Sequence, residues 1–364
     1  MAHQTAPTER EQRVLDIIET VRSKPLRFRD DRITMAHGAG GKATQTLIEG
    51  LLVPAFASRS LSTLADAGSV QVAGVELAFT TDSYVVKPIR FPGGSIGELA
   101  VNGTVNDLAV AGARPLAITL SMVLEEGLPA DELRAEVAAI AQAADAAGVE
   151  IVAGDTKVVE RGHADSMYLC TAGIGLVDGR ARLSPAGLLP GDRIIVSGSI
   201  GEHGTAIMLA RGEFDLDAGV ESDTRSLWPA ADALLDVAGP GLRCMRDATR
   251  GGVASVLNEL ARASGVAMLV READIPVLPA VSGAAELLGI DPMYIANEGK
   301  LIAFVAPERA GAALDALRGV TGCEQASEIG EVRTEPPGMV LVQTAFGGKR
   351  VLDQLVGDPL PRIC

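Results

Sequence analysis

Aromatic residues are scarce: one Trp, three Tyr and seven Phe make up 3% of the chain. Any core must therefore be aliphatic, which is feasible because 47% of the residues are hydrophobic. Cysteine is limited to Cys170, Cys244, Cys323 and Cys364, widely spaced and without a C-x-x-C pair. That excludes a disulfide framework and a zinc site of paired thiolates. Basic charge is outnumbered, 32 Lys and Arg against 47 Asp and Glu, for a formal charge of −15 with no basic run. A bulk attraction to nucleic acid or to an anionic membrane is excluded on that ground. No apolar run is long enough to span a bilayer, since residues 108–124 are interrupted by Arg114-Pro115. Charges scattered through residues 1–32 argue against a signal peptide. A cytoplasmic globular protein is the expectation that remains.

The length, 364 residues, suits about two domains. Residues 8–22 place Val14, Leu15, Ile17, Ile18 and Val21 on one helical face, behind a Thr8/Glu11 capping box. This helix lies in an N-terminal extension, residues 1–32. Residues 33–178 read as a first α/β domain, with strands at 75–81, 149–153 and 167–177 and helices at 95–111 and 131–147. A Gly-, Pro- and Arg-rich stretch near 178–191 marks the boundary. A second α/β domain follows at 179–346, with a strand at 193–197, a helix at 252–263 and strands at 301–305 and 339–343. Residues 347–364 read as a flexible tail in which Leu352, Leu355 and Val356 can form one helical turn.

Acidic residues recur where strands hand over to turns: Asp82, Asp107, Asp155 and Asp247. Carboxylates from separate elements can converge on Mg²⁺, a hard cation shared with substrate phosphates. Each one alone is equally compatible with a turn or a helix cap. Glycine-rich segments accompany them. His37-Gly38-Ala39-Gly40-Gly41-Lys42 offers backbone N–H groups to phosphate but is not a Walker A loop, because Ala36 and Ala43 stand where that loop needs Gly and Ser or Thr. Arg250-Gly251-Gly252 opens a helix and so presents free N–H groups. Lys157 and Glu298 are candidate proton-transfer groups, and without further support both also read as surface charges. The last residue, Cys364, is a thiol on a chain end that can reach other sites.

In order, the segments His-Gly-Ala-Gly-Gly-Lys, Thr-Thr-Asp-Ser-Tyr-Val-Val, Phe-Pro-Gly-Gly-Ser-Ile-Gly, Asn-Gly-Thr-Val-Asn-Asp, Gly-Asp-Thr-Lys-Val-Val, Gly-Glu-His-Gly-Thr-Ala, Arg-Asp-Ala-Thr-Arg-Gly-Gly, Asn-Glu-Gly-Lys and the terminal Pro-Arg-Ile-Cys resemble the HypE carbamoyl dehydratases of nickel–iron hydrogenase maturation. The resemblance runs from about Ile33 to Cys364. It implies an α/β fold of the aminoimidazole ribonucleotide synthetase type. The N-terminal domain would contribute to a dimer β-barrel, and the C-terminal α/β domain would have a ferredoxin-like core. It implies ATP and Mg²⁺ as cofactors, a HypF-type partner that carbamoylates Cys364, dehydration of that group to a thiocyanate, and a HypC–HypD complex that receives the cyanide. By motif position Asp82, Asp107, Asp155 and Asp247 match Mg–ATP residues, with Asn106, Gly40, Gly41 and Lys42 beside the nucleotide and Asp66 as a further metal-proximal acid. Lys157, Glu298 and Cys364 match the reacting groups. The tail is then expected in two positions, one bringing Cys364 to the nucleotide and one projecting it outward.

Other members of the superfamily, such as selenophosphate synthetase, would bind Mg–ATP at similar acids. That enzyme carries its reactive residue near the first glycine loop, where this chain has no cysteine before Cys170. A non-catalytic thiol carrier would not need the acid set, Lys157 or Glu298.

Overall fold

The computed structural model describes Arg13 and residues 26–58, 60–212, 219–355 and 362–364. The helix expected at 8–22 lies outside the described residues, apart from Arg13. Two sheets, each layered with helices, make up the body. The first contains β1 (Gly68–Val72), β2 (Val75–Tyr84), β5 (Ala113–Glu125), β6 (Glu150–Val159) and β7 (Met167–Val177), in the order β1-β2-β7-β5-β6. Only β5 and β6 run parallel; the other neighbours are antiparallel. A two-stranded ribbon, β3 (Arg90–Phe91) and β4 (Gly94–Ser95), follows β2. The second sheet has the order β14-β13-β10-β12-β8-β11-β9. Its strands are β8 (Arg193–Val196), β9 (Leu242–Asp247), β10 (Ala267–Arg271), β11 (Leu301–Val305), β12 (Ser327–Arg333), β13 (Val340–Gln343) and β14 (Lys349–Leu352). The expected α/β class is thus present. Among the described residues no helix is long and apolar enough to cross a membrane.

The helices are α1, which runs Lys42–Leu47 and continues through the π-turn Ile48–Leu52 into Val53–Phe56; α2 (Ile96–Val110); α3 (Ala130–Ala147); α4 (Glu202–Ala210); α5 (Trp228–Ala238); α6 (Gly252–Ser264); α7 (Pro279–Leu288); and α8 (Pro307–Arg318). Helix α2 is buried on every side, because it lies between the inner face of the first sheet and the second domain. Gly103 permits this approach: a Cβ there would sit 2.2 Å from the Tyr84 hydroxyl. Asn106, on the same helix, ties the domains together. Its Nδ2 donates to the carbonyls of Arg225 and Glu298 (both 3.0 Å), and its Oδ1 accepts from Leu227 N (2.7 Å). Helix α3 ends where Gly148 turns left-handed, as the sequence predicts.

Three expectations change. First, β2 extends to Tyr84 and β6 to Val159, and Asp107 lies within α2, so of the four acids only Asp247 closes a strand. Strand formers Val75, Phe79, Thr80 and Thr81 favour β2, and pairing with β7 as far as Leu169 carries it through Asp82 to Tyr84. Second, the apolar run 108–124 ends α2 and then enters a long strand, β5 (Ala113–Glu125), in which Pro115 is tolerated at a register shift. Third, part of the tail is ordered. Leu352 is fully buried in β14, which pairs antiparallel with β13, instead of joining a helical turn with Leu355 and Val356; Val356 lies outside the described residues. Residues just after β14 are pinned too: Tyr294 Oη donates to Asp353 O (2.8 Å), Lys42 Nζ pairs with Asp353 (2.8 Å) and Lys42 N donates to Leu355 O (3.2 Å).

Candidate active site

In a strand the side chains alternate faces, and residues directly opposite on neighbouring strands share a face. Thr80, Asp82 and Tyr84 of β2 point to the inner, α2-covered face. There the Thr80 hydroxyl donates to Asp107 of α2 (2.6 Å). Asp66, before β1, and Asp247, at the end of β9, complete a cluster in which one carboxylate oxygen of each acid lies within 4.8 Å of the others. Burial raises all three pKa values, and repulsion from neighbouring acids adds to the shift of Asp107 and Asp247; Asp247 is pushed up to about 7. Arg246 offsets part of this through a contact with Asp66 (3.1 Å). Three hard oxygen donors that resist ionising together are a fit for a divalent cation such as Mg²⁺, whose charge would relieve their repulsion.

Asp82 sits beside this cluster. Arg250 reaches it (3.7 Å) and also donates to Gly38 O of the glycine loop (3.1 Å). Its guanidinium is held charged chiefly by the negative charge at Cys364, then by Asp82 and Glu298. The loop docks closely on this turn: Ser255 Oγ donates to Gly40 O (3.2 Å), while Lys42 is committed to Asp353. Gly252 begins α6 at φ +59°, and a Cβ there would lie 2.6 Å from the carbonyl oxygens of Met293 and Ile295. Gly252→Ala is expected to cost more than about 2 kcal/mol, the left-handed penalty alone being about 1–2 kcal/mol. A thermal melt unchanged from wild type would contradict this.

Glu298 is buried within the electrostatic reach of Arg250, and its Oε1 has no hydrogen-bond partner. Burial, followed by the charges of Asp82, Asp223 and Asp247, pushes its pKa well above the ordinary carboxylate range. The loop that holds it is clamped by Asp223, a buried acid that the sequence did not reveal. Asp223 accepts from the N–H groups of Glu298 (3.1 Å) and Gly299 (3.0 Å) and from Lys300 Nζ (3.0 Å). Gly299 is required here because a Cβ would fall 1.9 Å from Asp223 O.

The C-terminus lies beside Arg250 and the glycine loop. Cys364 lines a cavity of about 130 Å³ together with Gly38, Ser83, Arg250 and Tyr294. Ile363 is buried in the core of the first domain.

Asp155 and Lys157 are elsewhere. They pair with each other on β6 (2.7 Å), an edge strand exposed along almost its whole length, and Lys157 holds the Asp155 carboxyl below its usual range. Register places Asp155 in one row with Ser121, Cys170 and Ser83, on the outer face opposite to Asp82. Three strand spacings separate it from Ser83, roughly 14 Å. Within one chain, then, Asp66, Asp82, Asp107, Asp247, Glu298, the glycine loop and Cys364 come together, whereas Asp155 and Lys157 do not. Asn106 spends its side chain on joining the domains. Thr80, Arg246, Arg250 and Asp223 are further residues of the site; the first three lay in segments that the sequence singled out, and Asp223 did not.

Residues 64–177 match the AIR synthase related protein N-terminal domain, and residues 190–342 match the corresponding C-terminal domain. The carbamoyl dehydratase HypE of Rhodobacter capsulatus is 46% identical over 343 residues, which cover 93% of this chain and 100% of that protein. That of Escherichia coli (strain K12) is 44% identical, with coverages of 92% and 100%. A crystal structure of hydrogenase maturation protein HypE in complex with ATP superposes with a TM-score of 0.76 at 43% identity, covering 92% of this chain and 100% of that one. A HypE–HypF complex gives 0.81 at 41% identity, with coverages of 85% and 99%. Thiamine monophosphate kinase of Aquifex aeolicus, at 19% identity and a TM-score of 0.60, shares the fold. The chain belongs to the HypE family of carbamoyl dehydratases, the enzymes of hydrogenase maturation.

Proposed function

We propose that this protein uses ATP to dehydrate a carbamoyl group carried on the sulfur of Cys364, leaving a thiocyanate that supplies cyanide to the iron of a nickel–iron hydrogenase. The observation that carries this is the seating of the terminal thiol beside Arg250, which also contacts the glycine loop and Asp82. The cavity at the thiol suits a small substituent: about 130 Å³ is well below the roughly 300–1,000 Å³ of sites for drug-sized ligands. In the reaction the carboxamide oxygen becomes bonded to phosphorus, ADP departs, and the C–O bond then breaks to release phosphate. The nitrogen gives up two protons as C≡N forms. Phosphate replaces hydroxide as the leaving group, which is why ATP is needed. Asp66, Asp107 and Asp247 would hold Mg²⁺, which supplies charge neutralisation at the phosphates when bound. Glu298 moves a proton at the carboxamide nitrogen, and Arg250 orients the carbamoyl group. Loading falls to a HypF-type transferase and delivery to a HypC–HypD-type complex, in the cytoplasm. Mass spectrometry tests this directly: after loading, Cys364 should carry one carbamoyl mass and lose one water when Mg–ATP is added. A loaded protein unchanged by Mg–ATP would overturn it.

The same proposal includes a homodimer. The outer face of the first sheet leaves Val70, Val72, Val75 and Phe79 between 44% and 52% exposed, an apolar patch that calls for a partner. A second copy packed on this face would bring its own Asp155 and Lys157 toward the site that one chain leaves without them. Mixing Lys157→Met chains with Glu298→Gln chains should then restore up to about a quarter of wild-type dehydration, since statistical pairing in a two-fold dimer rebuilds one site in half of the dimers. Two inactive parents whose mixture stays inactive would place both residues in the same chain's site or remove them from it.

A further inference from the structure

The last three residues are held by more than the site they serve. Arg362–Cys364 add to the extended backbone after β2 as an antiparallel ladder: Val85 N donates to Cys364 O (3.1 Å) and Lys87 N to Arg362 O (3.3 Å). The Arg362 guanidinium returns to Val85 O (3.3 Å) and pairs with Asp165. Arg211 donates to Arg362 O as well (2.6 Å). The carbonyl of Ile363 points the other way, into the protein, where His203 Nε2 meets it at 2.6 Å.

His203 is built for this contact. It lies in the first turn of α4 and is fully buried, with its ring edge-on to Phe91 at 5.6 Å between centroids. Burial lowers its pKa, so the ring is neutral. Its Nδ1 lies 2.8 Å from Ser222 Oγ. With the Ser222 hydroxyl donating to Nδ1, the ring's one proton rests on Nε2 and is given to the Ile363 carbonyl. A buried N–H aimed at one main-chain carbonyl of the tail would be orphaned whenever the tail leaves, which costs about 1–3 kcal/mol unless water replaces it.

We propose that His203 is a positioning residue that latches the C-terminal tripeptide inward, fixing the reach of Cys364 and setting the balance between its inward and outward positions. The dehydration arm of the test rests on the function proposed above; the labelling arm does not. His203→Leu, His203→Gln and Ser222→Ala are made in a Cys170→Ser background, since Cys244 and Cys323 are buried. In the Leu variant, maleimide labelling of Cys364 should accelerate about tenfold, loading of the carbamoyl group should be unchanged or faster, and water loss from the loaded protein should slow about tenfold. The Gln variant, whose side-chain N–H₂ can replace Nε2–H, should recover most of both, and Ser222→Ala should shift both in the Leu direction by less. Folding is checked by circular dichroism, and Ser222→Ala and the Gln variant carry the test where Leu does not fold. Labelling at the wild-type rate in folded Leu and Ser222→Ala variants would overturn the latch. Wild-type protein that labels normally but never loses water would overturn the dehydration proposal and leave the latch standing.

Discussion

Glu298→Gln is expected to bind nucleotide with near wild-type affinity and to dehydrate the loaded protein at one hundredth of the wild-type rate or below. A positioned acid–base group contributes about 10²–10⁴-fold, and Gln keeps the shape while removing the proton chemistry. Glu298 is suited to the role because its carboxyl is buried without a partner for Oε1, while three acids nearby oppose its ionisation. A raised pKa makes the carboxylate, once formed, a stronger base than an exposed glutamate. The same shift has a consequence for stability. The folded pKa lies above the unfolded one, so the folded state holds its proton at pH values where the unfolded state has lost it. This contribution to stability is full below about pH 4.3, the ordinary glutamate value, and declines as the pH rises toward the folded pKa. Gln has no such slope. The melting temperature of Glu298→Gln minus that of wild type should therefore increase between pH 5 and pH 8. A flat difference together with less than a tenfold loss of dehydration would remove Glu298 from the mechanism.

The second large effect concerns the acid cluster. Asp107→Asn and Asp247→Asn should each abolish Mg²⁺-dependent nucleotide binding by calorimetry. Each takes one donor from a set whose oxygens lie within 4.8 Å of one another. The apoprotein should behave oppositely. With Asp247 pushed up to about 7, its favourable contribution is present at low pH and is lost as the pH climbs to about 7 and beyond, where charge accumulates without a counterion. Asp247→Asn apoprotein should thus match or exceed wild type in melting temperature at pH 8. Wild type should gain stability from added Mg²⁺, by RT ln(1 + [Mg²⁺]/Kd), and gain more at pH 8 than at pH 6 because proton and cation compete for the same oxygens. A variant that still shows the Mg²⁺ response would show that the cation binds elsewhere.

Much of the architecture could be read from local pattern. Strands β7 and β11 and helix α3 fall where alternation, a buried apolar run and a glycine stop predict them. Strand β5 did not, because Arg114-Pro115 mimics a break and only the pairing with β6 and β7 overrides it. Asp107 illustrates the limit for the site. Its type, its motif and its helix were legible, but the burial of that helix depends on Gly103 admitting Tyr84, a long-range contact with no local trace. Asp223 carried no signal at all. It lies in a polar stretch and matters only because the backbone of Glu298 and Gly299 comes to it. Asp155 and Lys157 were recognisable by type, yet their outward direction is a property of register that no single segment encodes.

The anchoring of residues 349–355 to the body makes the substrate a tethered one. Only nine residues separate Leu355 from the end of the chain, and at about 3.3–3.6 Å each they reach at most about 30 Å. Short tethers of this kind hold a group at effective concentrations in the millimolar range. Turnover of the loaded thiol is therefore first order and indifferent to dilution of the protein, and no Michaelis constant exists for the carbamoyl group. The tether also sets a radius of delivery. Any acceptor of the finished group has to bring its iron within that short arc of the Leu355 anchor, so surface complementarity around the anchor decides which acceptor is served.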